Sequence, residues 1–122
     1  MIKGIGVDLI DVSRVKESVA RFGAQFLERI FTQNELMEAD KLKDPEKYYG
    51  FLAKRFAAKE AYSKALGTGI GSNISFKEIE ITNSADGSPQ LLDLTEREGT
   101  IIHVSLSDTK DYATAYVIIE KI

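Results

Sequence analysis

One helical stretch constrains this chain more than any other feature. It opens at Asp44-Pro45, with the aspartate as cap and the proline in the first turn. It stops at Gly67-Thr68-Gly69-Ile70-Gly71. Apart from Gly50 and its charged positions it is apolar almost all round, so it is expected at the centre of the fold. Within it, Arg55-Phe56-Ala57-Ala58-Lys59-Glu60-Ala61-Tyr62-Ser63-Lys64 sets a carboxylate among residues that read as buried. At roughly 100° per residue, Glu60 falls between Phe56 and Ala57 with Ala53 beside it, and Lys64 follows one turn on. A carboxylate leaves water at high cost unless a cation or hydrogen bonds meet it. Either a structural partner or a metal with an anionic ligand is therefore expected there, and Glu60 and Lys64 alone do not choose between them.

The remaining elements must wrap this helix. Residues 2–7 read as a short strand ending at Asp8. Asp11 is placed to cap a helix to about Phe22, stopped by Gly23. Its residues Val12, Val15, Val19 and Phe22 recur at helical spacing and are expected in the core, with Arg14, Ser18 and Arg21 opposite. A short helical piece follows over residues 25–30. Thr32 and Glu35 make a capping box for a helix to about Leu42. After Gly71 the pattern turns extended. Strands are expected over residues 76–82, 89–94, 100–107 and 112–121, with turns at residues 85–87 and 108–111. No repeat or linker divides the chain, so residues 1–122 read as a single α+β domain, helical in its first half with mainly antiparallel sheet in its second.

Composition excludes several classes. Hydrophobic residues make up 43% and charged residues 29%, as in ordinary globular domains. The absence of cysteine removes disulfides and thiolate metal sites and suits a reducing cytoplasm. The longest apolar run is far too short to span a bilayer, and Gly4, Gly6 and Asp8 interrupt any secretory pattern, so no membrane association is expected. A net charge of −3 argues against a nucleic-acid partner.

Asp8 and Glu60 are the best pair of hard oxygen ligands, suited to Mg²⁺ with phosphates and water completing its shell. Lys64 is placed to neutralise a phosphate. The glycines of residues 67–71 would let backbone approach a phosphate, although such a loop most often only ends a helix. His103, the sole histidine, shares a strand face with Ser105 and Ser107. A lone strand histidine is more often packed or hydrogen-bonded than catalytic. The Arg14, Ser18 and Arg21 face reads by default as a solvated helix side. Its alternative is a docking face for an acidic helix, with Phe22 or Phe26 as anchor.

Gly6-Val7-Asp8-Leu9-Ile10-Asp11-Val12-Ser13-Arg14 resembles the N-terminal motif of the holo-[acyl carrier protein] synthases. The segment from Phe56 to Lys64 resembles their (Phe/Trp)-Ala-Ala-Lys-Glu-Ala-x-x-Lys signature. His103-Val-Ser-Leu-Ser107, followed by Asp-x-x-Asp-Tyr-Ala, resembles their third motif. The text between the first two motifs, from Phe22-Gly23 to Glu35-Leu36, is similar as well. The resemblance spans nearly the whole chain, in order.

That family belongs to the 4′-phosphopantetheinyl transferases. The resemblance implies Mg²⁺-dependent transfer of phosphopantetheine from coenzyme A to a serine of apo acyl carrier protein in fatty-acid synthesis, with release of adenosine 3′,5′-bisphosphate. It implies Asp8 and Glu60 as metal ligands and Lys64 beside the diphosphate. Arg55, Gly67, Thr68, Gly69, His103, Ser105 and Thr109 would surround coenzyme A. Arg14, Ser18, Arg21, Phe22 and Phe26 would receive the carrier. It also implies a homotrimer with active sites at subunit interfaces. The proton acceptor stays open between Glu60, Asp8 and a metal-ordered water. A non-catalytic trimeric binding module, or a transferase serving polyketide or peptide synthases, are the alternatives. The chain departs from the resemblance at Asp108, where many relatives have histidine, and in the short connection over residues 95–99. Its docking helix is also less basic than in some relatives.

Overall fold

The computed structural model describes residues 1–71 and 73–122. Among these, five strands and four α-helices alternate as β1 (Ile2–Asp11), α1 (Val12–Phe22), α2 (Ala24–Ile30), α3 (Gln33–Asp40), α4 (Pro45–Ala65), β2 (Ile79–Asn83), β3 (Pro89–Asp93), β4 (Thr100–Asp108) and β5 (Tyr112–Lys121). The described strands form an antiparallel sheet in the order β1-β5-β4 and a separate antiparallel pair β2-β3. The α+β expectation holds, with one strand of the main sheet supplied by the N-terminus.

The central position of α4 follows from how closely it lies on β1. A Cβ at Gly4 would sit 2.1 Å from the Ala65 carbonyl oxygen, and one at Gly6 only 1.9 Å from that of Ala61. Strand and helix therefore meet backbone to backbone, which is possible only because both faces carry small residues. Ala53, Ala57, Ala58 and Ala61 of α4 are fully buried, as are Ala115 and Val117 of β5. Asp44 caps the helix, its carboxylate accepting from the Lys47 N–H at 3.1 Å. Gly67, at φ 86°, ends it as the sequence implied.

Several boundaries differ from the sequence reading. β1 continues to Asp11, so Asp8 lies inside the strand, opposite Ala115, and not at its end. Leu9 and Ile10 prolong the alternation, and β5 offers partners as far as Tyr112. Asp11 occupies the N-cap position of α1, but its side chain makes no capping bond. Val12 and Val15 enter the core, whereas Phe22 remains 51% exposed. Gly23 turns the chain there at φ 55°, and Phe26 and Leu27 of α2 pack against the core instead. Residues 76–78 form a 3-10 turn, so the expected strand starts only at Ile79. The Ser75 N–H donates to the Glu78 carboxylate at 2.9 Å and bends the chain, while Phe76 stacks on Phe56.

The charge taken fully out of water is Lys59, not Glu60. Its ammonium lies 2.6 Å from Glu35 Oε1 and donates to the carbonyls of Ile30 and Phe76. The other Glu35 oxygen accepts from the Ile81 N–H at 2.8 Å. Burial pulls the Lys59 ammonium below its ordinary range, against the upward pull of Glu35. Thr32 and Glu35 form the expected capping box, and Glu35 serves both roles. None of the described helices is long and apolar enough to cross a membrane.

Candidate active site

The close approach of β1 and α4 decides where the charges meet. Asp8 projects from β1 on the side that α4 covers, since it alternates with the exposed Val7 and Leu9. Lys64, on the last turn of α4, reaches back to it: Nζ lies 3.1 Å from Asp8 Oδ1 and donates to the Val7 carbonyl at 3.1 Å. Glu60, one turn earlier, is half-buried. Burial first, then the negative charge of Asp8, hold its carboxyl above the usual carboxylate range, against the opposing pull of Lys64. Lys64 thus pairs with Asp8; a Glu60–Lys64 ion pair was one of the two alternatives the sequence left open. Asp8, Glu60 and Lys64 form one cluster.

The other candidates lie around this cluster at different distances from it. Arg55 is buried on the side of α4 facing β2, its guanidinium stacked 3.8 Å from the Phe51 ring centroid and donating to Asn83 at 2.7 Å. Desolvation lowers its pKa. Among the described residues its Nε has no hydrogen-bond partner, and it borders a cavity of about 280 Å³ with Asn34, Glu38 and Asn83. Gly67, Thr68 and Gly69 follow Lys64 after Ala65 and Leu66, with the Gly69 N–H returning to the Ser63 carbonyl at 3.1 Å. Arg14 lines a small cleft with Ile10, Ser18, Phe26 and Phe56, and Ser18 and Phe26 also line a larger groove of about 240 Å³ with Phe22 and Arg29. Arg21 lies over the Phe22 ring.

His103, Ser105 and Thr109 do not reach the cluster within one chain. His103 pairs through β5 with Ile118 and Ile5, and Ser105 with Tyr116 and Val7. These rows lie on the sheet face opposite to Asp8. His103 is exposed and bonds Glu120 at 3.0 Å, which draws the Glu120 carboxyl downward. It is therefore hydrogen-bonded but not a core residue. Thr109 closes the β4–β5 turn by accepting from the Tyr112 N–H at 3.1 Å. Asp108 pairs with Lys54 at 3.4 Å and rests against Gly50.

Two groups escaped the sequence reading. One is the Lys59–Glu35 pair; the signal that could have found it is helical spacing, which puts Lys59 on one side with Leu52, Arg55 and Tyr62. Tyr62 donates to Asp93, which also binds Arg97 at 2.8 Å and so ties the short connection after β3 to α4. No local pattern marks that contact, because its partners lie far apart in sequence.

The sequence model of the 4′-phosphopantetheinyl transferase superfamily matches residues 4–117. The chain belongs to this superfamily of enzymes. It is similar to the holo-[acyl-carrier-protein] synthase of Anoxybacillus flavithermus, 47% identical over the whole chain and 98% of that protein. That of Geobacillus kaustophilus is 44% identical over the whole chain and 92% of its own length. Among solved structures, the Bacillus anthracis synthase in complex with CoA (3′,5′-ADP) superposes with a TM-score of 0.90 at 43% identity, covering 100% of this chain and 99% of that one. The Helicobacter pylori enzyme in complex with coenzyme A gives 0.84 at 32% identity, covering 95% and 99%. In this member of the superfamily, the matched region contains β1 from Gly4 onward, Asp8 included, and the whole of α4.

Proposed function

We propose that this chain transfers 4′-phosphopantetheine from coenzyme A to a serine of an apo acyl carrier protein, releasing adenosine 3′,5′-bisphosphate, in a Mg²⁺-dependent step of fatty-acid synthesis. The observation that carries this reading is the convergence of Asp8, Glu60 and Lys64 at the β1–α4 contact of a superfamily member. The donor set suits a hard cation: two carboxylates side by side, one with its ionised form disfavoured by burial and by the other. No group of three or more acids, histidines or cysteines assembles among the described residues. Phosphate oxygens and water would complete the shell, as is usual for Mg²⁺.

When bound, Mg²⁺ supplies Lewis-acid polarisation of the diphosphate. Asp8 and Glu60 would hold the ion. Lys64 sets its ammonium against the phosphate charge that passes to the departing 3′,5′-bisphosphate. The bond formed joins the carrier serine oxygen to the phosphorus bearing the pantetheine arm, the bond to the second phosphate breaks, and the serine proton passes to Glu60, Asp8 or a water. Arg55, Gly67, Thr68 and Gly69 bind the nucleotide. Arg14 and Arg21 attract an acidic carrier helix, whose apolar side enters the groove at Ser18, Phe22 and Phe26.

A homotrimer with sites between subunits accounts for the residues on the far sheet face. That face exposes Ile5, Val7, Leu9, Ile101, Tyr112 and Tyr116 between polar residues such as His103 and Ser105, an amount of exposed apolar surface that suits an interface. His103, Ser105 and Thr109 contact coenzyme A held by the Asp8 cluster of a neighbouring copy. Residues 1–122 act as one domain in the cytoplasm, without nucleic-acid or membrane partners.

The test incubates the protein with coenzyme A, Mg²⁺ and apo carriers of fatty-acid, polyketide and peptide type, then measures intact carrier mass. A phosphopantetheine gain strongest on the fatty-acid carrier is expected. No gain on any carrier would overturn the transferase reading.

A further inference from the structure

Lys64 reaches across from α4 and closes the Asp8 carboxylate from the solvent side. The two oxygens it binds are Asp8 Oδ1 and the Val7 carbonyl oxygen, each at 3.1 Å. The Asp8 side chain is only 16% exposed, whereas that of Lys64 is 53% exposed. The carboxylate is fixed in the fold, while the ammonium swings on a flexible four-carbon stem. Asp8 is also one of the two groups assigned above to the divalent ion. An ammonium and a divalent cation cannot both sit on one carboxylate without strong repulsion.

We propose that Lys64 is a tethered competitor for the metal: it neutralises Asp8 while no divalent ion is bound and is displaced onto the diphosphate when one binds. The proposal rests on the Asp8–Glu60 metal reading. Lys64 then has two successive partners, and the exchange couples the two ligands. Metal binding frees the ammonium to meet phosphate, so each ligand strengthens the other through the same residue.

The competition fixes the sign and size of the effect that removing the Lys64 ammonium has on metal binding. An exposed ion pair forms with an equilibrium constant of up to about 5. Occupying the site with a competitor weakens metal binding by one plus that constant. Removing the ammonium therefore tightens metal binding in the absence of coenzyme A by about two- to sixfold. In its presence the order reverses, because the variant lacks the ammonium that the bound phosphates recruit.

Mn²⁺ serves as the probe, titrated into the whole protein with free ion read by electron paramagnetic resonance. Lys64→Gln and Lys64→Met are compared with wild type after thermal melts verify folding, and Lys64→Arg retains the charge. Tighter Mn²⁺ binding by both neutral variants alone, weaker binding with coenzyme A, and wild-type behaviour of Lys64→Arg are expected. Equal or weaker binding by the neutral variants without coenzyme A, alongside measurable wild-type binding, overturns the competition and leaves the metal site standing. Absence of Mn²⁺ binding by every form overturns the metal reading, and the competition with it.

Discussion

Gly6→Ala tests how the site is assembled. The added Cβ would lie 1.9 Å from the Ala61 oxygen and 2.9 Å from both the Ala61 carbonyl carbon and the Ala65 nitrogen. All three atoms are backbone, so no rotamer change relieves the overlap. Ordinary contact begins near 3.4 Å, and restoring it requires β1 and α4 to part by more than about 1 Å. Overpacking of this kind costs about 1–3 kcal/mol, and a clash confined to backbone belongs at the upper end. At about 4 °C per kcal/mol for a domain this size, the melting temperature should fall by about 10 °C. Asp8 lies two residues along the same strand, so divalent-ion affinity should fall as well, even at temperatures where the variant is folded. Gly87→Ala is the control: Gly87 has φ 90° and nothing within 4 Å of an added Cβ. It should cost about 1 kcal/mol in backbone strain and leave transfer unchanged. Calorimetry and Mn²⁺ binding on both variants provide the comparison. Wild-type melting and metal affinity in Gly6→Ala would refute the claim that this contact builds the site.

Lys59→Met should destabilise the fold by about 3–5 kcal/mol by leaving Glu35 buried without its cation, and adding Glu35→Leu should recover part of the loss, as urea unfolding would show. Glu60→Gln should abolish transfer yet slightly stabilise the metal-free protein at pH 7. The sign follows from the raised Glu60 carboxyl: its ionised form costs stability above the folded pKa, and the cost disappears below the ordinary value of 4.5. Melts at pH 7 and pH 4 should therefore show a gain only at the higher pH. Arg14→Glu should raise the KM for an acidic carrier by about tenfold with little change in kcat, and should weaken its salt dependence, both read from steady-state kinetics.

Local signals in the sequence were legible where the chemistry is local. Thr32 with Glu35, Asp44 with Pro45, and the stops at Gly23 and Gly67 all appear where their residue types indicated. Asp8, Glu60 and Lys64 converge as the motifs implied. What escaped depended on partners distant in the chain. Asp8 was read at a strand end because nothing local announces that β5 continues the pairing to Tyr112. Phe22 kept the helical spacing of a core residue, but the bend at Gly23 turned Phe26 inward in its place. Lys59 and Glu60 are adjacent, and their fates differ because Glu35 faces one and Asp8 the other. The glycines of β1 gave no hint from their own neighbours that a helix backbone would rest on them.

The central claim is that each active site joins the Asp8–Glu60–Lys64 cluster of one copy to the far sheet face of another. Co-expression of Glu60→Gln with His103→Glu, which brings a negative charge to the coenzyme A side, tests it directly. Each variant alone should be inactive. With equal expression and random assembly about a quarter of all sites would combine an intact cluster with an intact face, so about a quarter of wild-type transfer should return. Mixed oligomers no more active than the sum of the separate variants would contradict the account.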